Sequence, residues 1–403
     1  MTTTVTLPSG TQTNPLSDQS FNFGNGDFAI FGGSWNIDAS ITIGNGNDSF
    51  QGGDNNIDTQ VTLGNGNDTF QGGSYDTDSH VTIGNGTDTF TGGSYDTGSH
   101  ITIGNGNDSY TGGSYNQDSV TFLGNGKDTI VGGDYGTDNS ITIGNGNDTF
   151  TGGTHDTGSH ITFGNGNVTF YSGSYSTGTV LTFGNGNDTM IASTIGHNSD
   201  STIIAGNGND TLLAAPGQSL TVESSITAGN GNDTVTISEN AEGANQGDSF
   251  GNVTLGNGND TVTVLGNYST ITVGNGHDTI TSGGDSTITA GNGNDTINVG
   301  INDSITVGHG HDHFVFNETA ATQVGAVTIT GFNTQHDVID ITAAEATALG
   351  LSGTQHQMDK ELAALFHDTG SGGSAQLQLD SADTITLTGV HSASLIAHDF
   401  HVM

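Results

Sequence analysis

Cysteine is absent from the 403 residues, which excludes disulfides, thiol catalysis and Cys-based zinc sites. Basic residues are almost absent too. Lys127 and Lys360 stand alone, without a single Arg, against 42 acids, for a net charge of −40. With no basic patch to release counterions, nucleic acid and anionic membrane are not expected as partners; cations are. Apolar residues make up only 30%, and no run approaches the ~18 needed for a membrane helix. The opening stretch, MTTTVTL, lacks the basic and apolar regions of an N-terminal secretion signal. HExxH, GxSxG and P-loop motifs are all missing, and the lack of Arg weighs against an enzyme acting on anionic sugars. No catalysis is expected.

So little apolar material would by itself point to disorder. What rescues the chain is repetition. The motif GNGNDT starts at Gly44, Gly64, Gly84, Gly104, Gly124, Gly144, Gly164 and Gly184, a step of 20 residues, and then at Gly206, Gly229, Gly256, Gly274, Gly291 and Gly308. A worn copy stands at Gly24, making 15 copies, of which 13 keep Asp in the fifth place; Val168 replaces it in one. Repeats of this length mark a stacked architecture, in which a narrow core needs few inward side chains.

The unit from Gly84 shows the layout: a Gly-rich turn, the strand Thr89-Phe90-Thr91, a looser turn GGSYDTGS, and the strand His100-Ile101-Thr102-Ile103. Period-2 alternation sends Phe90, Ile101 and Ile103 inward and Thr89, Thr91 and Thr102 outward. The fold class expected is therefore all-β, a parallel β-solenoid or β-roll of about 15 two-stranded coils. Residues 1–23 read as an N-terminal segment and weak cap. Residues 24–313 are the repeats, with insertions in the later copies such as the acidic loop Glu239 to Asp248. Residues 314–403 change character: strands at FVF, VTITGF, DVID, QLQL and TITLTGV, and helical spacing over Ala343 to Leu349 and Met358 to Phe366, with Leu362, Leu365 and Phe366 on one face. This is a small α+β C-terminal cap.

Glycines permit tight turns that aim carbonyls outward, and the fifth-place Asp adds a carboxylate at each rise. A column of carbonyl and carboxylate oxygens, without His or Cys, suits Ca²⁺. Two like charges ~5 Å apart repel by about 0.8 kcal/mol even in water, so cation binding and folding are expected to be one event.

GNGNDTFTG resembles the Gly-Gly-x-Gly-x-Asp-x-U-x nonapeptide of the RTX family of calcium-binding β-roll proteins. The resemblance implies Ca²⁺ between adjacent turns, held by Asp48, Asp68, Asp88, Asp108, Asp128, Asp148, Asp188, Asp210, Asp233, Asp260, Asp278, Asp295 and Asp312. It also implies carbonyls of turn glycines such as Gly44, Gly46, Gly64, Gly66, Gly84, Gly86, Gly104, Gly106, Gly144 and Gly146 as ligands. The first Gly-Gly is usually only x-Gly here, and the second turn lacks Gly-x-Gly-x-Asp, so one calcium row along one edge is expected, weakened at Val168. VTITGFNTQHDVIDI and TITLTGVHSASLIAHDF are similar to the ends of RTX proteins exported by type I secretion. That implies an extracellular or cell-surface protein with an uncleaved C-terminal signal.

Three features stand apart from the motif. The second turn carries Trp35, Asn55, Tyr75, Tyr95, Tyr115, Tyr135, His155 and Tyr175 in one column, a ladder that either stacks on itself or faces glycans or neighbouring copies. The outward pairs Thr89/Thr91, Thr149/Thr151, Thr234/Thr236, Thr261/Thr263 and Thr279/Thr281 resemble ice-binding arrays, though Thr is also a good strand residue. HGHDH at His309 to His313 could hold a transition metal, but His309 and His311 only replace the motif's Asn. The expected role is structural: a calcium-loaded surface, matrix or filament component that self-assembles through open strand edges. The alternative is an adhesin-like or ice-binding module.

Overall fold

The computed structural model describes residues 2–192, 197–198, 201–214, 219–220, 224–237, 251–316, 325–369, 373–379 and 383–403. Nearly all of its regular structure is strand, stacked in parallel as a β-solenoid. The chain divides into two compact units, residues 1–206 and 207–403. The acidic loop Glu239 to Asp248 lies outside the described residues.

In the first unit each strand meets its own copy one coil away. Thr89–Thr91 pairs in register with Thr69–Gln71 and Ser109–Thr111, so that Phe90 lies between Phe70 and Tyr110. His100–Ile103 pairs likewise with His80–Ile83 and Val120–Leu123. Phe90, Ile101 and Ile103 are buried while Thr89, Thr91 and Thr102 face solvent, as the alternation requires. Rings of Phe50, Phe70, Phe90 and Tyr110 stack at 5.0–5.3 Å. Each such buried side chain contributes roughly 1.5–3 kcal/mol, enough to hold a core only two inner faces thick.

The second turn is more ordered than a loop. Single parallel bridges join Ile37, Ile57, Thr77, Thr97, Gln117, Thr137, Thr157 and Thr177 in succession, giving each of these coils a third point of pairing. Residues 1–23 also differ from the weak cap expected. Thr3–Thr6 pairs with Phe28–Phe31, Leu16–Ser17 with Asn36–Ile37, and Ser20–Asn22 with Ser40–Thr42. They form a coil that lacks the GNGND signature but keeps its alternation.

One coil inverts the pattern. Thr121 takes an inward Ile position at 2% exposed, and Phe122 takes an outward Thr position at 46%. The reason lies across the core: Tyr110 replaces the stacked Phe, and its buried hydroxyl finds Thr121 Oγ1 at 3.3 Å.

In the second unit the strands continue past residue 313. His313–Phe316 pairs with Val338–Ile341, and that with Phe400–Val402; Ser304–Thr306 pairs with Ala326–Thr330, and that with Thr384–Thr388. The α+β elements expected for 314–403 are insertions between coils. Helix α1 (Ala343–Ala348) starts on a capping box of Thr342 and Glu345, and α2 (Gln355–Leu365) on one of Thr354 and Gln357. The buried stripe of α2 runs through Asp359, Leu362 and Ala363 to Phe366. Leu365, expected on that face, is 41% exposed, because it lies about a third of a turn from the centre of the stripe formed by 359, 362, 363 and 366.

Both last strands are covered. Ser374–Gln378 pairs antiparallel with Thr384–Thr388, and α2 packs on Phe400–Val402. Among the described residues no helix is long and apolar enough to cross a membrane.

Substituting Thr121→Val should strand the Tyr110 hydroxyl and cost about 1–3 kcal/mol in chemical denaturation. Adding Tyr110→Phe should recover most of it. Additive losses in the double-mutant cycle would mean the two side chains act independently.

Candidate functional site: the carboxylate column

The GNGND turn is closed by bonds from coil to coil. Asn65, Asn85, Asn105, Asn125 and Asn145 each donate backbone N–H and side-chain Nδ2 to the Oδ1 of the Asn one coil before, at 2.9–3.0 Å. The first Gly of the turn donates to its predecessor's carbonyl, as Gly104 N–H does to Gly84 O at 3.1 Å. The third residue must be Gly: a Cβ on Gly66, Gly86 or Gly106 would overlap the Gly carbonyl oxygen of the coil before.

The fifth-place Asp runs the other way. Each accepts, through Oδ1, the backbone N–H of the Asp one coil before: Asp48 to Asp68, Asp68 to Asp88, Asp88 to Asp108, Asp108 to Asp128 and Asp128 to Asp148, at 2.8–2.9 Å. In the second unit Asp210, Asp233, Asp260, Asp278, Asp295 and Asp312 form the same ladder at 2.8–3.0 Å. Asp188 accepts from Val168 N–H; Val168 itself offers no oxygen to Asp148.

These side chains point inward. Asp48, Asp68, Asp88, Asp108, Asp128, Asp148, Asp233, Asp260, Asp278, Asp295 and Asp312 are 0–2% exposed, and the Oδ2 of each is buried without a hydrogen-bond partner. Burial, reinforced by neighbouring carboxylates, pushes Asp68, Asp88, Asp233, Asp260 and Asp312 up to about 6 and Asp128 and Asp295 to about 7, against an ordinary 3.8. The backbone N–H on Oδ1 opposes the shift but does not cancel it.

The chain matches no protein-family model and no curated protein.

Asp337 belongs to this column and was missed in the sequence. It accepts Asp312 N–H at 2.9 Å, with Asn333 N–H on its other oxygen at 2.8 Å. The signal was present: Asp337-Val338-Ile339 repeats the Asp-x-large-apolar spacing without the glycines. The second turn holds a further hidden column. Asn36 N–H donates to Asn56 Oδ1, Asn56 to Asp76, Asp76 to Asp96 and Asp96 to Asn116, at 2.7–3.0 Å.

The aromatic ladder stacks on itself. Tyr75, Tyr95, Tyr115, Tyr135, His155 and Tyr175 follow one another at 4.7–4.9 Å and within 17° of parallel. All sit at φ of 58–65°, a left-handed conformation costing about 1–3 kcal/mol for a bulky residue. Stacking returns about 0.5–1.5 kcal/mol per pair and leaves the inner rings no free face for a sugar. Near the C-terminus, Nδ1 of His313 and His401 lie 2.9 and 3.0 Å from the two oxygens of Asp340 and tie three strands together. Among the described residues no group of three or more His, Asp or Glu side chains converges on one metal position.

The raised carboxylates fix the sign of the pH response. The folded chain holds protons that the unfolded chain releases near pH 4, so their stabilisation is complete below that pH and is lost as pH rises through 6 to 7. In chelator, the thermal midpoint should climb as pH falls from 8 to 4.5. A midpoint that falls steadily over that range would mean the column is ionised and paired in a way the fold does not explain.

Proposed function

We propose that the protein is a secreted structural solenoid whose GNGND edge is loaded with calcium outside the cell. The observation that carries the reading is the row of buried, unpartnered Oδ2 atoms on the Asp column. A buried carboxylate is tolerated only when neutralised or paired, and the chain supplies two Lys for 42 acids. Hard oxygens, with no soft ligand in the motif, favour Ca²⁺ over transition metals.

The donors are hard oxygens of the type calcium takes, although among the described residues they do not converge in threes on one position. Asp48, Asp68, Asp88, Asp108, Asp128, Asp148, Asp233, Asp260, Asp278, Asp295 and Asp312 would hold it through Oδ2. Gly64, Gly84, Gly104 and Gly144 would contribute less than expected, because each carbonyl already accepts the next coil's N–H and keeps one lone pair. Bound calcium would supply the positive charge that lets like carboxylates stack. Extracellular sites of this class work at about 10⁻⁴–10⁻³ M, so the chain would stay loose in the cytosol and set after export. Type I export accords with the C-terminal resemblance. A structural role accords with the regular coils and the lack of any catalytic motif. Copies would assemble end to end through strand edges or laterally along the sides of the coils.

Circular dichroism at pH 7.5 should show the strand signal and thermal midpoint rising from EGTA to millimolar calcium. Asp88→Asn should blunt that response and Val168→Asp should enlarge it. Identical melts with calcium and with chelator would sink the calcium reading.

A further inference from the structure

The GNGND turns contain a reactive pair that the carboxylate column leaves unused. Fourteen of the fifteen copies place Asn directly before Gly. In such a pair the Gly main-chain nitrogen, once it gives up its proton, can attack Cγ of the Asn side chain. A C–N bond forms, the side-chain amide leaves as ammonia, and a succinimide ring remains. Water then opens the ring at Cγ to give Asp, or at the main-chain carbonyl carbon to give isoaspartate. Gly favours the attack because it has no side chain to obstruct it. Burial gives no protection, since Asn65, Asn85, Asn105, Asn125 and Asn145 are all exposed.

The stack holds both reacting groups by hydrogen bonds instead. The attacking nitrogen is tied to the following coil: Gly46, Gly66, Gly86, Gly106 and Gly126 N–H donate to the carbonyls of Asn65, Asn85, Asn105, Asn125 and Asn145 at 3.0–3.1 Å. In the second unit Gly231, Gly258 and Gly276 donate to Asn257, Asn275 and Asn292 at 2.9–3.0 Å. The carboxamide under attack is tied on both sides. Asn85 Nδ2 donates to Asn65 Oδ1 at 3.0 Å, and Asn85 Oδ1 accepts two bonds from Asn105 at 2.9 Å. Cyclisation therefore requires a coil to open away from its neighbours.

The end of the ladder differs. No GNGND turn follows the copy at Gly308, and among the described residues Gly310 N–H has no such acceptor. That copy carries His309 in place of Asn. Where the nitrogen is left uncovered, the preceding side chain is one that cannot form a succinimide.

We propose that the Asn–Gly pairs of the GNGND turns are sites of spontaneous deamidation that the stacked fold holds in check, so that a chain left unfolded progressively loses its ability to fold. Isoaspartate lengthens the main chain by a methylene at turns where even a Cβ on Gly66, Gly86 or Gly106 would overlap the coil before. Asp in place of Asn removes the Nδ2 donor of that rung and adds a charge. The same chemistry applies whatever neutralises the Asp column.

The test holds folded protein and protein unfolded in urea side by side in mildly alkaline buffer with calcium, and maps peptides by mass spectrometry. In urea Asn65, Asn85, Asn105, Asn125 and Asn145 should gain the mass of deamidation, with isoaspartate among the products. In the folded protein they should convert at least about tenfold more slowly, because reaction waits on local opening. The strand signal regained on removing urea should fall as converted turns accumulate. His309→Asn restores the motif's own residue where the nitrogen is uncovered. In that folded variant position 309 should convert at least about tenfold faster than Asn292, whose Gly293 N–H is bonded to His309 O in the unmodified chain at 2.9 Å. Equal rates at 309 and 292 overturn the proposal, as do equal rates at Asn65 to Asn145 in folded and unfolded protein. Full refolding by chains that carry isoaspartate in these turns overturns it too. Should His309→Asn fail to fold, the comparison of folded and unfolded unmodified protein decides.

Discussion

In a parallel solenoid every residue meets its own copy about 4.8 Å away, and the fold is stable only where a side chain is a good partner for itself. Amides are. An Asn has both donor and acceptor, so Asn45 through Asn145 build a ladder that needs nothing else. Aromatic rings are too, as the Phe and Tyr stacks show. Carboxylates are not. An Asp can accept from a neighbour's backbone but has nothing to return, and each copy adds a like charge. The chain nevertheless places Asp at the most buried point of its commonest turn. Net stability is a small difference of large terms, so the charge state of that column governs whether the coils hold together.

Neutralisation has two routes, a proton or a metal ion, and they compete for the same oxygens. Burial favours the protonated column below about pH 6; on the calcium reading proposed above, a divalent cation would take that part at higher pH. The two routes differ in what they ask of the chain. A proton needs only burial, whereas a cation needs several oxygens converging at one height.

Much of this was legible because the repeat itself is informative. Thirteen Asp in one register identify a column without any coordinates, and alternation placed Phe90, Ile101 and Ile103 correctly. What escaped were positions where geometry repeats but residue type does not. The Asn36, Asn56, Asp76, Asp96, Asn116 column varies in chemistry, so no motif marks it, although the backbone bond it accepts is the same at each rung. Asp337 keeps the carboxylate but loses the glycines. The coil formed by Thr3–Thr6 and Ser20–Asn22 keeps the alternation but loses the turn. The Thr121–Phe122 inversion is a tertiary effect: it answers a hydroxyl placed eleven residues earlier, at Tyr110.

The interruptions carry as much meaning as the repeats. At Val168 a carboxylate is replaced by a hydrocarbon, which removes one charge and one acceptor from the middle of the column. At Gly136 the second-turn column loses its side chain altogether, while Asp156 still accepts the Gly136 N–H at 2.7 Å. In each place the neighbouring coils keep their strand pairing. The backbone ladder therefore tolerates a missing rung, and the carboxylates are not what aligns the strands. Their cost in burial and repulsion has to be offset by something the strands do not supply, and a proton held on the raised carboxylates is one such agent.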